Sequence, residues 1–392
     1  MSRILAWFFG RLPIGWLQLS HNKARLVAAV AGVSFANLLV FMQLGILGAL
    51  NGSTIAPYNM LNADIIISSS DNNTLTDGGG NVARTRMFQA LGTAGVSQVA
   101  PLFIGNLPLN LAGGASATLL AFGMDVAQPA FGSAEIAQKA RILRLENTAL
   151  LDSGSRGLPA SMLESLADDR SFPIEINGQA LSVVGAVAVG SGFLSDGTLV
   201  MSDQTFLRFF PHRGSGAPNH ILVKVNDGSA PDTVALRLQA IFPADSVKVQ
   251  TLPNAAKADL AFMGTERPTG IIFGFGVLIG VIVGIVIVYQ VLSTDVADHL
   301  REYATFKAMG FSDRFFLGIV FEEALVLAVF GFVPGLIVSL GLYAGLSGVT
   351  GLPVAMTVSR AIMVFLGTLI ACAISGAIAT RRLAGADPAD LF

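Results

Sequence analysis

Four long apolar stretches, separated by polar segments, dominate the pattern of hydrophobic and polar positions along the chain. Spanning helices are predicted at residues 26–50, 269–292, 315–346 and 360–380, because a helix needs about 20 apolar residues to cross the hydrocarbon core of a bilayer. The first stretch contains no charged residue, and it is too long and begins too late to be a cleaved signal peptide. The pattern indicates a multi-pass membrane protein rather than a soluble protein with buried core helices.

The basic residues beside these stretches predict how the chain crosses the membrane, because lysine and arginine concentrate in cytoplasmic loops. Nine of them lie in the N-terminal segment, between the second and third spans, and in the C-terminal tail: Arg3, Arg11, Lys23, Arg25, Arg301, Lys307, Arg314, Arg381 and Arg382. The link between the third and fourth spans has only Arg360, at its edge. Both termini, including the tail at 381–392, and the segment 293–314 are therefore expected in the cytoplasm. Residues 51–268 are expected on the periplasmic side of a bacterial inner membrane.

The first 25 residues mix aromatic, apolar and basic positions and include both tryptophans, Trp7 and Trp16. This mixture is typical of an amphipathic helix in the cytoplasmic membrane interface. Pro13 is expected to break that helix. An aromatic anchor that only fixes the depth of the chain in the membrane is the simpler alternative.

Residues 51–268 alternate between strand and helix patterns, which predicts an α+β domain between the first and second spans. One strand–helix–strand unit is predicted within 63–107 and a second within 220–251. Residues 108–216 are turn-rich, with a hairpin signal at Asn177-Gly178, and are interpreted as a β-rich insert on a porter-like module. Residues 71–81 are expected to form a surface loop. Residues 252–265 indicate a helix that forms a stiff lever with the second span unless Pro268 breaks it.

Composition narrows the classes of function. Only 13% of residues are charged, the net charge is −2 and no basic run exists, so no nucleic-acid partner is expected. No G-x-x-x-x-G-K-S/T motif is present, which excludes ATP binding through a Walker loop. The single cysteine, Cys372, lies in an apolar stretch. The histidines are scattered and the serines of 152–157 indicate a turn, so no catalytic residue, cofactor or metal is predicted.

Polar residues inside the spans cost free energy unless they are paired. Glu322 and Glu323, near the start of the third span, are expected to reach the cytoplasmic interface or to pair with an arginine of a neighbouring helix. Asn37 and Gln43 lie on different faces of the first span, and Gln43 is positioned to hydrogen-bond across a helix interface. Small residues in the second span allow close packing between helices or between two copies of the chain: Gly274, Gly280 and Gly284.

The segment 295–310, DVADHLREYATFKAMG, predicts a short amphipathic helix between the second and third spans. Phe306 and Met309 follow Glu302 at i+4 and i+7, and Gly310 is expected to end the helix. An exposed helix of this shape fits a groove in a cytoplasmic partner. A surface helix that touches only lipid headgroups is the alternative.

The sequence LREYATFKAMGFSDRFF resembles the R-E-x-x-x-x-R/K-A-L/M/I-G-x-S/T signature of MacB/FtsX-type (type VII) ABC transporter permeases. FEEALVLAVFGFVPGLIVS is similar to their third span, and RRLAGADPADLF to their C-terminal ending. At the N-terminus, GWLQLSHNKARLVAAVAGVSFANLLVFMQLG resembles the DevC branch, the permeases of heterocyst-glycolipid-type exporters. The resemblance covers the whole chain, although MacB carries a fused ATPase domain that this chain lacks.

The resemblance implies a homodimer of non-enzymatic permeases that works with separate ATPase subunits by mechanotransmission. It implies that the ATPase is contacted by the segment between the second and third spans, with the candidate residues Arg301, Glu302, Thr305, Phe306, Lys307, Met309 and Gly310. In the DevC and MacB branches the outer domain docks a periplasmic adaptor that leads to an outer-membrane channel. The expected function is therefore export of a lipidic or amphipathic substrate, with 108–216 as the expected docking element. An FtsX-like transmitter that activates a periplasmic partner and a lipoprotein-release permease are the alternatives.

Overall fold

The computed structural model describes residues 14–110, 116–167, 170–176, 178–190, 192–193, 195–299, 302, 305–306 and 309–384. The predictions for residues 1–13, Asn177, Arg301, Lys307 and the end of the C-terminal tail lie outside these ranges. The chain divides into two compact units. The outer unit consists of Ala49–Gly270 together with Thr350–Pro353, and the remaining described residues form the membrane unit.

The helices of the described chain are α1 (Ile14–His21), α2 (Lys23–Asn59), α3 (Thr85–Leu91), α4 (Ala134–Lys139), α5 (Ala160–Ala167), α6 (Asp203–Phe209), α7 (Pro231–Ile241), α8 (Leu252–Thr265), α9 (Pro268–Asp298), α10 (Asp313–Thr350) and α11 (Val358–Ala384). Four of them are long and apolar enough to cross a membrane: Lys23–Asn59, Pro268–Asp298, Phe315–Thr350 and Val358–Ala379. The prediction of four transmembrane helices is confirmed, and we call α2, α9, α10 and α11 the first to fourth spans.

Small residues bring the second span close to the first. An added Cβ at Gly280 would lie 3.0 Å from Val40 Cγ2, and one at Gly284 would lie 3.2 Å from Ala36 Cβ. The space around Gly274, in contrast, is open to at least 4 Å. Two of the three glycines noted in the sequence therefore pack helices within one chain, as small residues do in membrane proteins.

The outer unit is built on a nine-stranded sheet. Its strands are β1 (Ile65–Ser69), β2 (Val96–Asn110), β3 (Ser116–Met124), β4 (Thr148–Asp152), β5 (Phe172–Ile176), β6 (Gln179–Val187), β7 (Gly197–Ser202), β8 (His220–Val225) and β9 (Val247–Thr251). Their order is β5-β6-β4-β7-β3-β2-β8-β1-β9. The predicted fold class, four spans with a large α+β domain, is thus confirmed.

The two predicted strand–helix–strand units interleave within this sheet. β1 pairs antiparallel with both β8 and β9, with Ile66 opposite Leu222 and Gln250, and β2 pairs antiparallel with β8. The order β2-β8-β1-β9, with α3 and α7 as the connecting helices, is that of a split β-α-β motif. The apolar residues of this half form a buried cluster that includes Ile65, Val223 and Leu238.

The turn-rich region 108–216 is continuous with this module instead of forming a separate β-rich body. β2 pairs with β8 through its first half and with β3 along Leu102–Asn110, so a single strand belongs to both parts. The parallel pairs β3–β7 and β4–β6 extend the same sheet. The region also contains the helices α4, α5 and α6.

The segment 71–81 differs from the predicted surface loop because several of its side chains are buried. Asn72 accepts a hydrogen bond from Gly80 N at 2.7 Å and donates one to Gly80 O at 3.0 Å. Leu75 N donates to Asp259 Oδ2 at 2.8 Å. Asn72, Thr74 and Leu75 are buried. The glycines and asparagines therefore close a loop that packs on the outer unit.

The lever predicted from 252–265 into the second span is interrupted. α8 ends at Thr265, where Glu266 N and Arg267 N both donate to Phe262 O, and α9 begins at Pro268. Proline is tolerated at a first helical position, where its missing N–H leaves no hydrogen bond unmade. Of the two alternatives for Pro268, the structure has the break.

Candidate coupling segment and outer attachment

The segment between the second and third spans ends in a tight helical cap. Gly310 has a φ of +92°, Met309 N donates to Thr305 O at 3.1 Å, and Phe311 N donates to Phe306 O at 3.2 Å. A glycine with a left-handed φ directly after the helix, followed by a residue whose N–H donates to a carbonyl of the last helical turn, forms the Schellman motif. The predicted helix end at Gly310 matches this geometry, because a left-handed φ disfavours residues with a Cβ.

An aromatic cluster fixes this cap to the third span. The ring of Phe306 lies 5.7 Å from that of Phe311 and 6.2 Å from that of Phe315. Phe306 also packs against buried Phe316 and Ile319. Phe306 is therefore a partly buried anchor of the segment and not its exposed tip.

Among the described residues of the segment, the exposed apolar side chains are Met309, at 61% exposure, and Phe311, at 43%. Glu302 and Thr305 are also exposed. Phe311 was missed in the sequence because it follows the glycine that ends the helix. The signal that points to it is its position as the second residue after the cap, which commonly makes an apolar contact with the last helical turn. Two apolar side chains separated by Gly310 thus form the surface that the segment offers, which we call the coupling surface.

The glutamates of the third span are buried rather than extended towards the interface. Glu322 and Glu323 are each exposed by 1% or less. Trp16 N donates to Glu322 Oε1 at 3.3 Å, as favoured for an anion beside the first turn of a helix. An added Cβ at Gly15 would lie 2.9 Å from Glu323 Cγ. The expectation that these carboxyl groups reach the interface is therefore wrong. Glu322 instead binds α1, which packs closely on the third span.

Arg25 forms ion pairs with the second span. Its Nη1 lies 2.6 Å from Asp298 Oδ2 and 3.5 Å from Asp295 Oδ1. Asp295 Oδ2 is also 3.6 Å from His299 Nδ1. Arg25, near the start of the first span, therefore joins that span to the last turns of the second. Within the part of the chain that the structure describes, no group of three His, Cys, Asp or Glu side chains is arranged to hold a metal ion.

On the outer unit, Arg156 holds the link between the third and fourth spans. Arg156 Nη1 donates to Thr350 O at 3.0 Å, and Nη2 donates to Gly192 O and to Ser195 O. Nη2 is also 3.6 Å from Asp196 Oδ1. One guanidinium group thus joins Thr350 to the loop before β7.

Gly351 is shaped to this contact. Its φ is +65°, and an added Cβ would lie 2.5 Å from Arg156 Cδ, so both backbone conformation and space require glycine. Asp196, beside the guanidinium group, is itself held to β3, because its Oδ2 accepts a hydrogen bond from Thr118 N at 2.9 Å. We call Arg156, Gly192, Ser195, Asp196 and Thr350–Pro353 the outer attachment.

The turn at 152–157 could be predicted from the sequence, but the role of Arg156 could not. The turn is present, with Ser155 N donating to Asp152 O at 3.1 Å. The partners of Arg156 are backbone carbonyl groups about 40 and 190 residues away, which leave no sequence pattern. The available signal was a charged residue inside a turn of an outer domain that is poor in basic residues.

A buried polar group lies between β1 and β8. His220 Nδ1 is 2.7 Å from Ser68 Oγ, and Nε2 is 2.8 Å from Leu75 O. Because a carbonyl can only accept, Nε2 carries the proton and Nδ1 accepts from the Ser68 hydroxyl. Burial, with a smaller contribution from the charge of Lys248, lowers the pKa of His220 to about 4. The neutral imidazole therefore fixes the loop 71–81 to the sheet.

Comparison with known proteins finds one family model that the C-terminal region resembles. Residues 274–388 match the family model for the FtsX-like permease C-terminal region, and this range contains the coupling segment and most of the last three spans. A search of curated proteins found no match. The fold and this match describe a four-span membrane protein whose C-terminal region is similar to that of FtsX-like permeases.

Two solved structures resemble the outer unit. The periplasmic region of MacB from Actinobacillus actinomycetemcomitans matches with a TM-score of 0.34 and 13% identity, covering 51% of this chain and 93% of that one. The extracellular domain of the noncanonic ABC-type transporter YknZ from Gram-positive bacteria matches with a TM-score of 0.30 and 11% identity, covering 48% of this chain and 98% of that one. Scores this low carry no functional conclusion.

Proposed function

We propose that this chain is the permease subunit of a MacB/FtsX-type ABC system that transmits motion of separate ATPase subunits to its own outer domain. The observation that carries the proposal is the FtsX-like match over residues 274–388. ABC permeases of this kind work with ATPase subunits, and the matched region contains the segment whose sequence suits that contact.

The input to this transmission is the coupling surface. Met309 and Phe311 are exposed on a segment whose conformation is set by Gly310 and by the packing of Phe306. A large apolar side chain held rigidly in water is a good anchor for a partner groove, because little conformational entropy is lost on binding. Arg301, Glu302, Thr305 and Lys307 are proposed to contribute polar contacts around that anchor.

The output is the outer unit, to which all four spans are connected along the chain. The first span enters it at Ala49 and the second leaves it after Gly270. Thr350–Pro353, between the third and fourth spans, also belongs to it. Arg156 binds the carbonyl of Thr350, so displacement of the third span is applied directly to the loop before β7.

The finer assignment is export of a lipidic or amphipathic substrate by a homodimeric, DevC-like permease with a periplasmic adaptor and an outer-membrane channel. The N-terminal resemblance supports this branch. An FtsX-like activator of a periplasmic partner, or a lipoprotein-release permease, would use the same coupling surface and outer attachment. Co-purification from cells, followed by mass spectrometry, distinguishes these alternatives: an adaptor supports export, whereas a cell-wall hydrolase or a lipoprotein supports the others.

The experiment that tests the ATPase contact compares charged substitutions on two exposed apolar surfaces. Met309→Asp and Phe311→Asp each place a charge in the proposed apolar contact and are expected to reduce ATPase co-purification by about tenfold or more. The matched control is Leu17→Asp, because Leu17 is an exposed apolar residue of α1 outside the coupling surface. Retention of the ATPase by both segment variants would contradict the proposal, as would an equal loss in the control.

A further inference from the structure

The helix α1 runs along the third span in a definite direction. Ile14 packs against the buried side chains of Phe316 and Ile319. The ring of Trp16, two residues later, lies 5.6 Å from that of Phe330, which is about three helical turns further along the third span. Because later residues of α1 contact later turns of that span, the chain before Ile14 leads back towards the beginning of the span.

The coupling surface lies directly before the third span begins. The ring of Phe316 lies 5.7 Å from that of Phe315, and the ring of Phe315 lies 4.6 Å from that of Phe311. Ile14 and Phe311 thus border one continuous aromatic cluster. The N-terminal end of α1 is therefore close to the coupling surface.

The segment 1–13, which precedes α1, has the length and the composition to reach this surface. It contains three consecutive aromatic residues at 7–9, five to seven positions before Ile14, and this stretch of chain extends over about 17–25 Å at roughly 3.3–3.6 Å per residue. Pro13 allows the chain to change direction before α1. Packing aromatic side chains against exposed apolar ones is favourable because it removes both from water.

We propose that residues 1–13 cover the coupling surface while no ATPase is bound, with the aromatic residues 7–9 packed on Met309 and Phe311. We call this contact the cover. Arg11 in the segment and Lys307, two positions before Met309, have the same charge, and their repulsion keeps the cover weak enough to be exchanged for a partner. The ATPase therefore displaces the cover when it binds. The displacement rests on the proposed function, whereas the cover itself is a property of this chain alone.

The cover is tested on the full chain without ATPase, by the rate at which a water-soluble maleimide alkylates Met309→Cys in a Cys372→Ser background. Phe8→Ser together with Phe9→Ser removes the apolar contact and keeps the length of the chain. This pair is expected to raise the alkylation rate about tenfold. The matched control is Ala297→Cys, which is exposed in the last turn of the second span and outside the coupling surface. There the pair is expected to leave the rate unchanged.

Equal alkylation of Met309→Cys with and without the pair would overturn the proposal, and this is the result expected if the segment lies among lipid headgroups instead. An equal rise at Ala297→Cys would also overturn it, because the substitutions would then have loosened the membrane unit as a whole. A second measurement keeps every aromatic residue. Gly10→Cys and Ser312→Cys, the latter exposed and directly after Phe311, are expected to be joined within one chain by a short bis-maleimide. Absence of this cross-link would contradict the cover.

Binding of the ATPase tests the displacement separately. The variant with Phe8→Ser and Phe9→Ser is expected to bind the ATPase about threefold more tightly than the wild type, because no cover has to be displaced. Equal binding by both chains would overturn the displacement and leave the alkylation result to decide the cover. If the ATPase binds neither chain, the proposed function fails, and the alkylation rates still decide whether the cover exists.

Discussion

The coupling surface and the outer attachment differ in how their key side chains are held. In the coupling surface, Met309 and Phe311 are exposed apolar groups beside the cap, and only Phe311 has ring contacts, with Phe306 and Phe315, among the described residues. In the outer attachment, Arg156 is mostly buried and bonded to several backbone carbonyl groups. The first arrangement suits a surface that binds and releases a partner. The second suits a permanent connection that carries force, because every displacement of Thr350 is opposed by directional hydrogen bonds.

The comparison can be sharpened by pH, because the outer unit contains a buried neutral histidine. The pKa of His220 is about 4 in the folded chain against 6.5 for an ordinary histidine, so the unfolded chain binds more protons between these values. Stability is therefore complete above pH 6.5 and falls by about 3 kcal/mol as the pH drops to 4. Hydrogen exchange of β1 and β8 in the full chain measures this loss.

The control for this prediction is a second histidine of the outer unit. His220→Gln is expected to remove most of the pH dependence, whereas His212→Gln, at an exposed position, is expected to leave it unchanged. Protection of β1 and β8 that stays constant from pH 7 to 4 in the wild type would contradict the buried neutral imidazole.

Removing the arginine of the outer attachment should free Thr350–Pro353. Arg156→Ala deletes a charged donor to Thr350 O and Gly192 O, and hydrogen bonds of charged groups contribute about 1.5–3 kcal/mol each in favourable cases. Because the group is partly exposed, we expect a loss of about 2 kcal/mol in local opening free energy, measured by hydrogen exchange at 350–353.

Arg208 offers a matched surface control. It also pairs through its guanidinium group, with Glu146 at 3.1 Å and Asn147 at 3.0 Å, but both carboxylate and arginine are well exposed. Arg208→Ala is expected to cost less than about 1 kcal/mol. Equal effects of the two substitutions would mean that Arg156 is an ordinary surface arginine.

Within the coupling segment, substitution of the anchor Phe306 should lower local stability more than substitution of the exposed Met309. Phe306→Ala removes a partly buried ring from the cluster with Phe316 and Ile319 and is expected to destabilise the segment by about 1–2 kcal/mol. Met309→Ala, at an exposed position, is expected to change it by less than about 0.5 kcal/mol. Local hydrogen exchange of the segment distinguishes the two, and an inverse order would contradict the assigned packing.

A substitution at the cap is expected to have a smaller effect than the loss of the Phe306 ring. Gly310→Ala forces a residue with a Cβ into a φ of +92°, which costs about 1 kcal/mol, and no atom lies within 4 Å of the added Cβ. Because there is no steric clash, ATPase co-purification is expected to weaken by only a few-fold. A complete loss of the partner would mean that Gly310 itself is in the contact.

The spans and the cap could be predicted because they depend on local signals. Apolar length identifies a span, and Gly310 after an amphipathic run identifies a helix end. The roles of Arg156 and Glu322 could not be predicted, since their partners are backbone groups distant in the sequence. The extent of the sheet was also missed, because one long strand, β2, joins two parts that have different local patterns.

The central claim is that ATP-driven motion at the coupling surface reaches the outer attachment. The most direct measurement is hydrogen exchange at 192–196 and 350–353 in the reconstituted permease–ATPase complex, with and without ATP and vanadate. The account predicts an ATP-dependent change in the wild type and in Arg208→Ala that is absent in Met309→Asp and Arg156→Ala. An unchanged exchange pattern in the wild type, while the bound ATPase hydrolyses ATP normally, would contradict it.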